Sequence, residues 1–143
     1  MDFDNDGDKD LSFGTPQAFH LLENDNNTFT DISDAVGFVG QKPPGLISRW
    51  WYEIGDWGDY DRDGDLDCVA SQENYDNLYL FRNDDGQFTN VATEAGLDST
   101  GLSGTNVTFT DYDLDGDPDL YNGYHFFEND NGYFTEVTEE IGL

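Results

Sequence analysis

Short apolar runs alternate with Asp-, Asn- and Gly-rich segments along the whole chain, a pattern that predicts strands joined by tight turns. The runs that follow the acidic segments at residues 11–13, 68–70 and 120–122 look like strands and not like helices. Eleven Phe, eight Tyr and three Trp strengthen this β-rich reading, because aromatic residues favour strands. The chain is therefore expected to be all-β.

A hairpin pattern occurs three times, at residues 23–32, 82–91 and 128–137. In each copy an Asn-Asp pair and a turn residue separate two apolar runs, which is a hairpin signal. The turn residue is Gly86 or Gly132 in two copies and Asn27 in the first, and Asn is the usual substitute at positive φ. Each copy leads into an apolar-Gly-apolar ending, at 36–38, 95–97 and 141–143.

The repeating unit therefore reads strand, acidic loop, strand, strand, tight turn, strand. Its first strand is predicted over Trp51–Gly58 and Thr105–Thr110, and the first repeat lacks this strand before Asp2. Four antiparallel strands in about 50 residues are the content of a β-propeller blade. We expect one partial propeller domain, 1–143, made of the repeats 1–38, 39–97 and 98–143.

Negative charge is concentrated in the three loops. The chain has 32 Asp and Glu against 5 Lys and Arg, a net charge of −27, and 15 of the acids lie in the segments 2–10, 59–67 and 111–119. Five carboxylates about 4–6 Å apart repel one another by several kcal/mol, so an ordered loop needs a cation. Carboxylates without His or Cys select a hard cation, Ca²⁺ before Mg²⁺ or Mn²⁺.

The spacing resembles the beginning of a calcium loop, with Asp at positions 1, 3, 5, 7 and 9 and Gly at position 6. We expect side chains 1, 3, 5 and 9 and carbonyl 7 to bind one Ca²⁺ per loop, about three in all, so that the Asp side chain at position 7 is the most replaceable. An EF-hand is excluded, because its Glu at position 12 is replaced by Phe13, Ala70 and Asn122. The predicted metal-binding residues are Asp2, Asp4, Asp6, Asp8, Asp10, Asp59, Asp61, Asp63, Asp65, Asp67, Asp111, Asp113, Asp115, Asp117 and Asp119.

The acidic loop followed by the Asn-Asp-x-Gly-x-Phe-Thr hairpin resembles the FG-GAP/VCBS repeats of the integrin α-subunit propeller and of ASPIC/UnbV-type cartilage acidic proteins. This resemblance implies a propeller of six to eight blades, with calcium loops on one face and partner contacts commonly on the other. Three repeats supply only part of such a ring. The two outer repeats should then expose apolar surface, and the strand edge at Leu11–Phe13 should be unpaired.

A few other residues could carry chemistry. Cys68 is expected to be a buried hydrophobe, His20 and His125 structural, and Trp57 part of the core. Trp50 and Trp51 follow an insertion, Pro43-Pro44-Gly45, that reads as a surface loop. They pack between blades or form a platform for a sugar or a partner.

The function expected from these features is a calcium-binding, extracellular, non-catalytic scaffold for a protein or glycan ligand. The alternative is a fragment of a secreted polysaccharide lyase or hydrolase with a calcium-loop propeller, but the five basic residues are scattered. The charge disfavours nucleic acid as a partner, no apolar run is long enough for a membrane span, and this segment has no signal peptide. The remaining blades are expected in the same parent chain or in a second copy.

Overall fold

The computed structural model describes residues 1–40, 52–72, 77–97 and 106–143, with only the backbone of Asn77. The insertion at 43–45 and the pair Trp50 and Trp51 lie outside these residues. The described residues form eleven strands and one helix, the four-residue α1 (Thr138–Ile141), which is too short and too polar to cross a membrane.

The strands form three antiparallel sheets, one in each repeat, and the strand order of each sheet follows the chain. The first sheet has three strands and the other two have four, as the sequence predicts. The strands are β1 (Leu11–Gly14), β2 (Phe19–Asp25), β3 (Thr28–Asp31), β4 (Tyr52–Gly58), β5 (Asp67–Gln72), β6 (Asn77–Asp84), β7 (Gln87–Asn90), β8 (Thr108–Thr110), β9 (Asp119–Tyr121), β10 (Phe126–Asp130) and β11 (Tyr133–Glu136). The predicted all-β fold is confirmed.

Two apolar clusters lie between neighbouring sheets and hold them together. In the central sheet, Cys68 and Ala70 join the cluster shared with the first repeat, whereas Val69 joins the cluster shared with the third. Successive side chains of a strand point to opposite faces, so β5 is buried on both faces and shows no polar alternation. The loops at one end of the sheets are thereby fixed relative to each other.

The hairpin turns are two residues long, as the Asn-Asp-x-Gly pattern predicts. Both turn residues have positive φ in every copy, at 51° and 68° for Asn26 and Asn27 and at 52° and 83° for Asp85 and Gly86. This is the type I′ turn that matches the twist of the flanking strands. The register that follows, for example Asn83 opposite Phe88, places the hairpin Asn beside the acidic loop.

Candidate metal centres

Each acidic loop reverses direction through two residues in the left-handed region. The Gly at position 6 has φ near 100°, and the residue at position 4 also has a positive φ, although it is never Gly. The φ values are 99°, 100° and 94° for Gly7, Gly64 and Gly116, and 59°, 61° and 65° for Asn5, Arg62 and Leu114. The sequence indicated the glycine, but Arg and Leu give no sign that position 4 is left-handed.

This backbone brings three carboxylates of each loop together. The closest carboxylate oxygens of Asp2, Asp4 and Asp6 lie within 4.8 Å of one another, and the third loop repeats this grouping with Asp111, Asp113 and Asp115. In the second loop the group is Asp59, Asp61 and Asp67, at positions 1, 3 and 9. The predicted residues at positions 1 and 3 therefore converge in all three loops.

Hydrogen bonds within each loop hold these carboxylates in place. The amide of position 5 donates to the carboxylate of position 3, as in Asp6 N to Asp4 Oδ1 at 3.2 Å. The amide of position 7 donates to the carboxylate of position 5, as in Asp8 N to Asp6 Oδ1 at 2.8 Å. The same bonds recur in the other two loops. Each such carboxylate keeps a second oxygen free of that bond.

The donor set fits a hard divalent cation. Asp2 Oδ1 and Asp59 Oδ1, both at position 1, are buried and accept no hydrogen bond among the described residues. A buried carboxylate oxygen without a partner is costly, and a cation in the loop would satisfy it. Lys9 does not replace that cation, because its Nζ lies 3.7 Å from Asp2 Oδ2 on a largely exposed side chain.

The Asp at position 9 is buried in each loop and accepts two backbone hydrogen bonds. Asp67 is fully buried and accepts hydrogen bonds from Tyr60 N at 3.0 Å and from Asn83 N at 2.9 Å. Asp10 and Asp119 make the same two bonds in their own repeats. These two hydrogen bonds tie each acidic loop to the hairpin of its own repeat.

Burial and like charge oppose ionisation in these loops. Burial raises the pKa of Asp67 to about 7, aided by the charges of Asp61 and Asp63 and opposed by the two amide donors. Burial also raises the pKa of Asp4, Asp61 and Asp119, with neighbouring carboxylates acting in the same direction. Such groups favour a proton or a cation.

The Asp side chain at position 7 has a role that the sequence analysis missed. Asp65 Oδ2 accepts the amide of the turn residue Asp85 at 3.0 Å, and Asp8 and Asp117 do the same for Asn26 and Asn131. The expectation that this side chain is the most replaceable considered metal binding alone and did not include this hydrogen bond. The Asn-rich turn beside each loop was the available signal, but sequence spacing does not show that the two approach.

One basic side chain crosses between loops. Arg62 donates to Gly116 O at 3.2 Å and to Asp115 O at 3.1 Å, and its guanidinium also pairs with the Asp117 carboxylate. The second and third loops are therefore linked by a cation that belongs to the protein. In the first loop the corresponding residue is Asn5.

The remaining candidate residues pack in the core or form hydrogen bonds with neighbouring side chains. Cys68 is fully buried and Trp57 packs on the cluster between the first two sheets, in agreement with the sequence analysis. His20 Nδ1 lies 2.8 Å from Asp31, and His125 makes the same contact with Glu136. Hydrogen bonds from Ser33 and His20 lower the pKa of Asp31.

A hydroxyl also lies near the first histidine, an arrangement that the sequence analysis did not foresee. Thr15 Oγ1 is 3.4 Å from His20 Nε2. The same hydroxyl accepts the amides of Gln17 and Ala18 and bonds to Ala18 O at 3.1 Å, so it stabilises the β1–β2 turn. We regard this Thr as a turn residue.

Comparison with known proteins identifies the repeat. The family model for the FG-GAP-like repeat matches residues 2–70 and again residues 59–122. Each match contains two acidic loops with the strands that follow them. No curated protein and no solved structure matches the chain. The two matches cover most of the sequence, and the chain belongs to the FG-GAP-like repeat family.

Proposed function

We propose that this chain is a calcium-binding β-propeller module that serves as a non-catalytic scaffold for a protein or glycan ligand outside the cell. The observation that carries the proposal is the convergence of three carboxylates in each loop, with oxygens within 4.8 Å of one another. Because oxygen ligands alone are available and the loops are strongly acidic, Ca²⁺ is the cation of choice. About three ions are expected, one per loop.

An extracellular setting follows from the proposed metal. A loop that depends on calcium for its order works best where free calcium is plentiful, and the cytosol keeps it low. The net charge of −27 also disfavours a polyanionic partner. A neutral glycan or a protein surface is the ligand class that remains.

Calorimetric titration of chelator-treated, folded protein with CaCl₂ tests the metal. We expect a stoichiometry near three, and each of Asp4→Asn, Asp61→Asn and Asp113→Asn should lose or strongly weaken one site. Asn at position 3 keeps the oxygen that accepts the amide of position 5, so the loop loses a charged ligand and not its hydrogen bond. The exposed Asp34→Asn removes the same charge outside the loops and is the control.

Folded protein that takes up no calcium would overturn the proposal. Equal loss of binding in Asp34→Asn would show that net charge and not loop geometry attracts the ion. The lyase alternative predicts unsaturated product absorbance when the protein is incubated with uronate polysaccharides. We expect no such product with or without calcium.

A further inference from the structure

The loops of repeats 1 and 2 leave an open cleft between them, whereas the equivalent place between repeats 2 and 3 is filled. The cleft has a volume of about 280 Å³ and is lined by Phe3, Asp4, Asn5, Asp65, Asp85 and Gly86. The residues at the same repeat positions one junction later are Tyr60, Asp61, Arg62, Asp117, Asn131 and Gly132. The two places therefore differ in charge at two positions, with Asn5 and Asp85 in the cleft against Arg62 and Asn131 in the filled place.

The Arg62 guanidinium fills the place between repeats 2 and 3. It donates to Asp115 O at 3.1 Å and to Gly116 O at 3.2 Å. It also pairs with Asp117 Oδ1, and Asp117 is only 3% exposed. A Cβ built on Gly116 would lie 2.9 Å from Arg62 Nη2, so the guanidinium lies directly over the turn of the third loop. Two carbonyl oxygens and one carboxylate of the next loop thus form a seat for an arginine.

The cleft between repeats 1 and 2 has the same acceptors without an arginine. Among the described residues no donor reaches Asp63 O or Gly64 O, the equivalents of the two carbonyl oxygens. Asp65 Oδ2 accepts the turn amide of Asp85 at 3.0 Å, as happens one junction later, so Asp65 Oδ1 is the equivalent of the oxygen that pairs with the guanidinium. A Cβ built on Gly64 meets nothing within 4 Å. The acceptors of the cleft are therefore accessible.

The charge of the cleft favours a cation, and its width favours a guanidinium over a metal ion. The lining holds the carboxylates of Asp4, Asp65 and Asp85 and no basic side chain. These three carboxylates are not among the groups whose oxygens lie within 4.8 Å of one another, so they do not form a compact cage for one ion. A guanidinium is a wide planar cation whose N–H donors reach several separate acceptors at once.

We propose that this cleft binds the guanidinium group of an arginine side chain on a protein partner. The bound group donates to the two carbonyl oxygens and pairs with Asp65 Oδ1, as Arg62 does one junction later, and Asp85 adds a second carboxylate. Asn5 and Asp85 are exposed, so a side chain on the surface of another protein can enter. The inference rests on the proposed scaffold role, because it names what a protein ligand presents, but it uses none of the oxygens assigned to calcium.

NMR titration in saturating calcium tests the proposal with N-acetyl-arginine amide as the probe. We expect saturable shifts of the Gly64, Asp65 and Asp85 amides. N-acetyl-lysine amide should bind roughly threefold or more weakly, because a compact ammonium does not reach the carbonyl oxygens and the carboxylate together. Asp85→Asn restores the residue type of Asn131 and should weaken binding of the arginine probe roughly threefold, as for one exposed ion pair.

Asn5→Arg gives the sharper result, because it places the chain's own arginine in the cleft. Arginine already adopts the required backbone conformation in the second loop, where Arg62 has a φ of 61° against 59° for Asn5. The variant should keep its calcium stoichiometry and show no saturable shifts with the arginine probe. Gln17→Arg adds the same charge at the exposed turn between β1 and β2 and is the control, which should bind the probe as the unaltered chain does.

Three results would overturn the inference. The first is an unaltered chain that binds calcium but whose Gly64 and Asp65 amides do not respond to the arginine probe, and this result would leave the proposed metal sites in place. The second is equal binding of the probe by Asn5→Arg and the unaltered chain, or equal binding of the arginine and lysine probes. The third is equal loss of binding in Gln17→Arg, which would assign the effect to net charge.

Discussion

At the scale of single residues, the Asp side chains of a loop divide into two groups. Positions 1 and 3 direct carboxylate oxygens at one another in every loop, whereas positions 7 and 9 accept amides from the hairpin, and Asp67 at position 9 belongs to both groups. Asp65 and Asp67 illustrate the second group, with bonds to Asp85 N and Asn83 N. Asp residues within nine positions thus form both the proposed metal site and the hydrogen bonds that join the loop to the hairpin.

The hydrogen bond that the position-7 Asp accepts should contribute to stability even without metal. Asp65→Ala removes the acceptor of the Asp85 amide and should lower the free energy of unfolding by about 1–2 kcal/mol. Asp65→Asn removes the same charge but keeps an acceptor oxygen, so it should cost less. Urea unfolding in chelator measures both, and equal stability of the Ala variant and the unaltered chain would contradict the role assigned to Asp65.

The raised pKa of Asp67 predicts an unusual pH dependence of the metal-free chain. Its pKa is about 7 when folded and near 3.8 when unfolded, so the folded state binds the extra proton between these values. Stability should therefore be highest below about pH 4 for this group and fall as the pH rises toward 7. Thermal melts in chelator should show the melting temperature rising by several degrees on acidification from pH 7 to pH 5.

A control for this prediction removes the two imidazole side chains, His20 and His125. The double variant His20→Gln and His125→Gln should keep the acid-stabilised profile in chelator. With calcium present the profile should invert, because protons then compete with the metal for the same carboxylates. A metal-free chain that becomes less stable between pH 7 and pH 5 would contradict the assignment.

At the scale of elements, the first strands of neighbouring sheets approach each other closely. A Cβ on Gly55 of β4 would lie 2.5 Å from Val107 O, just before β8, and a Cβ on Gly14 of β1 would overlap Tyr52 O. Asp56 of β4 also accepts hydrogen bonds from Thr108 and Phe109 of the next repeat. Backbone contact, and not only side-chain packing, sets the distance between these sheets.

Substitution of Gly55 tests this close approach. Gly55→Ala forces its methyl group against the backbone of Val107 and should cost about 2 kcal/mol of unfolding free energy, since the next residue, Thr108, is already paired in β8. Gly58→Ala in the same strand meets a Phe109 ring carbon at 3.0 Å, a side chain that can turn aside, and should cost less. Urea unfolding of both variants gives the comparison, and equal costs would argue against a fixed backbone at Gly55.

The sequence predicts the order and type of the strands well, because turn residues and apolar runs are local signals. Strand ends are predicted less well: the predicted first strand of repeat 3 includes Asn106 and Val107, whereas β8 begins at Thr108, and the predicted start at Thr105 lies outside the described residues. The helix α1 was not foreseen. The bonds from position 7 and from Arg62 were also not foreseen, because they join segments that are far apart in sequence. Local spacing carries no information on such contacts.

At the scale of the whole molecule, the proposed calcium sites should make the stability of the folded chain depend on calcium. A ligand that binds only the folded state stabilises it by roughly 2.7 kcal/mol per site at a hundredfold excess over Kd. Three such sites would rival the total stability of an ordinary domain. Excess chelator should therefore lower the melting temperature steeply or unfold the chain, and CaCl₂ should restore it.

A melt that chelator leaves unchanged would contradict this dependence. Magnesium at the same ionic strength is the control, because it screens charge equally but fits a flexible loop of carboxylates less well. A full rescue by magnesium would assign the stabilisation to screening.

The side chain of Asn83 joins three segments at once. Its Nδ2 donates to Phe3 O in the loop of repeat 1 and to Leu66 O in the loop of repeat 2, and its Oδ1 accepts the Gly86 amide of its own turn. Ordering of one loop should therefore favour ordering of the next loop, as in a one-dimensional array with nearest-neighbour coupling. We expect the calcium isotherm to be steeper than that of three independent sites, with a Hill coefficient above one that falls toward one in Asn83→Ala.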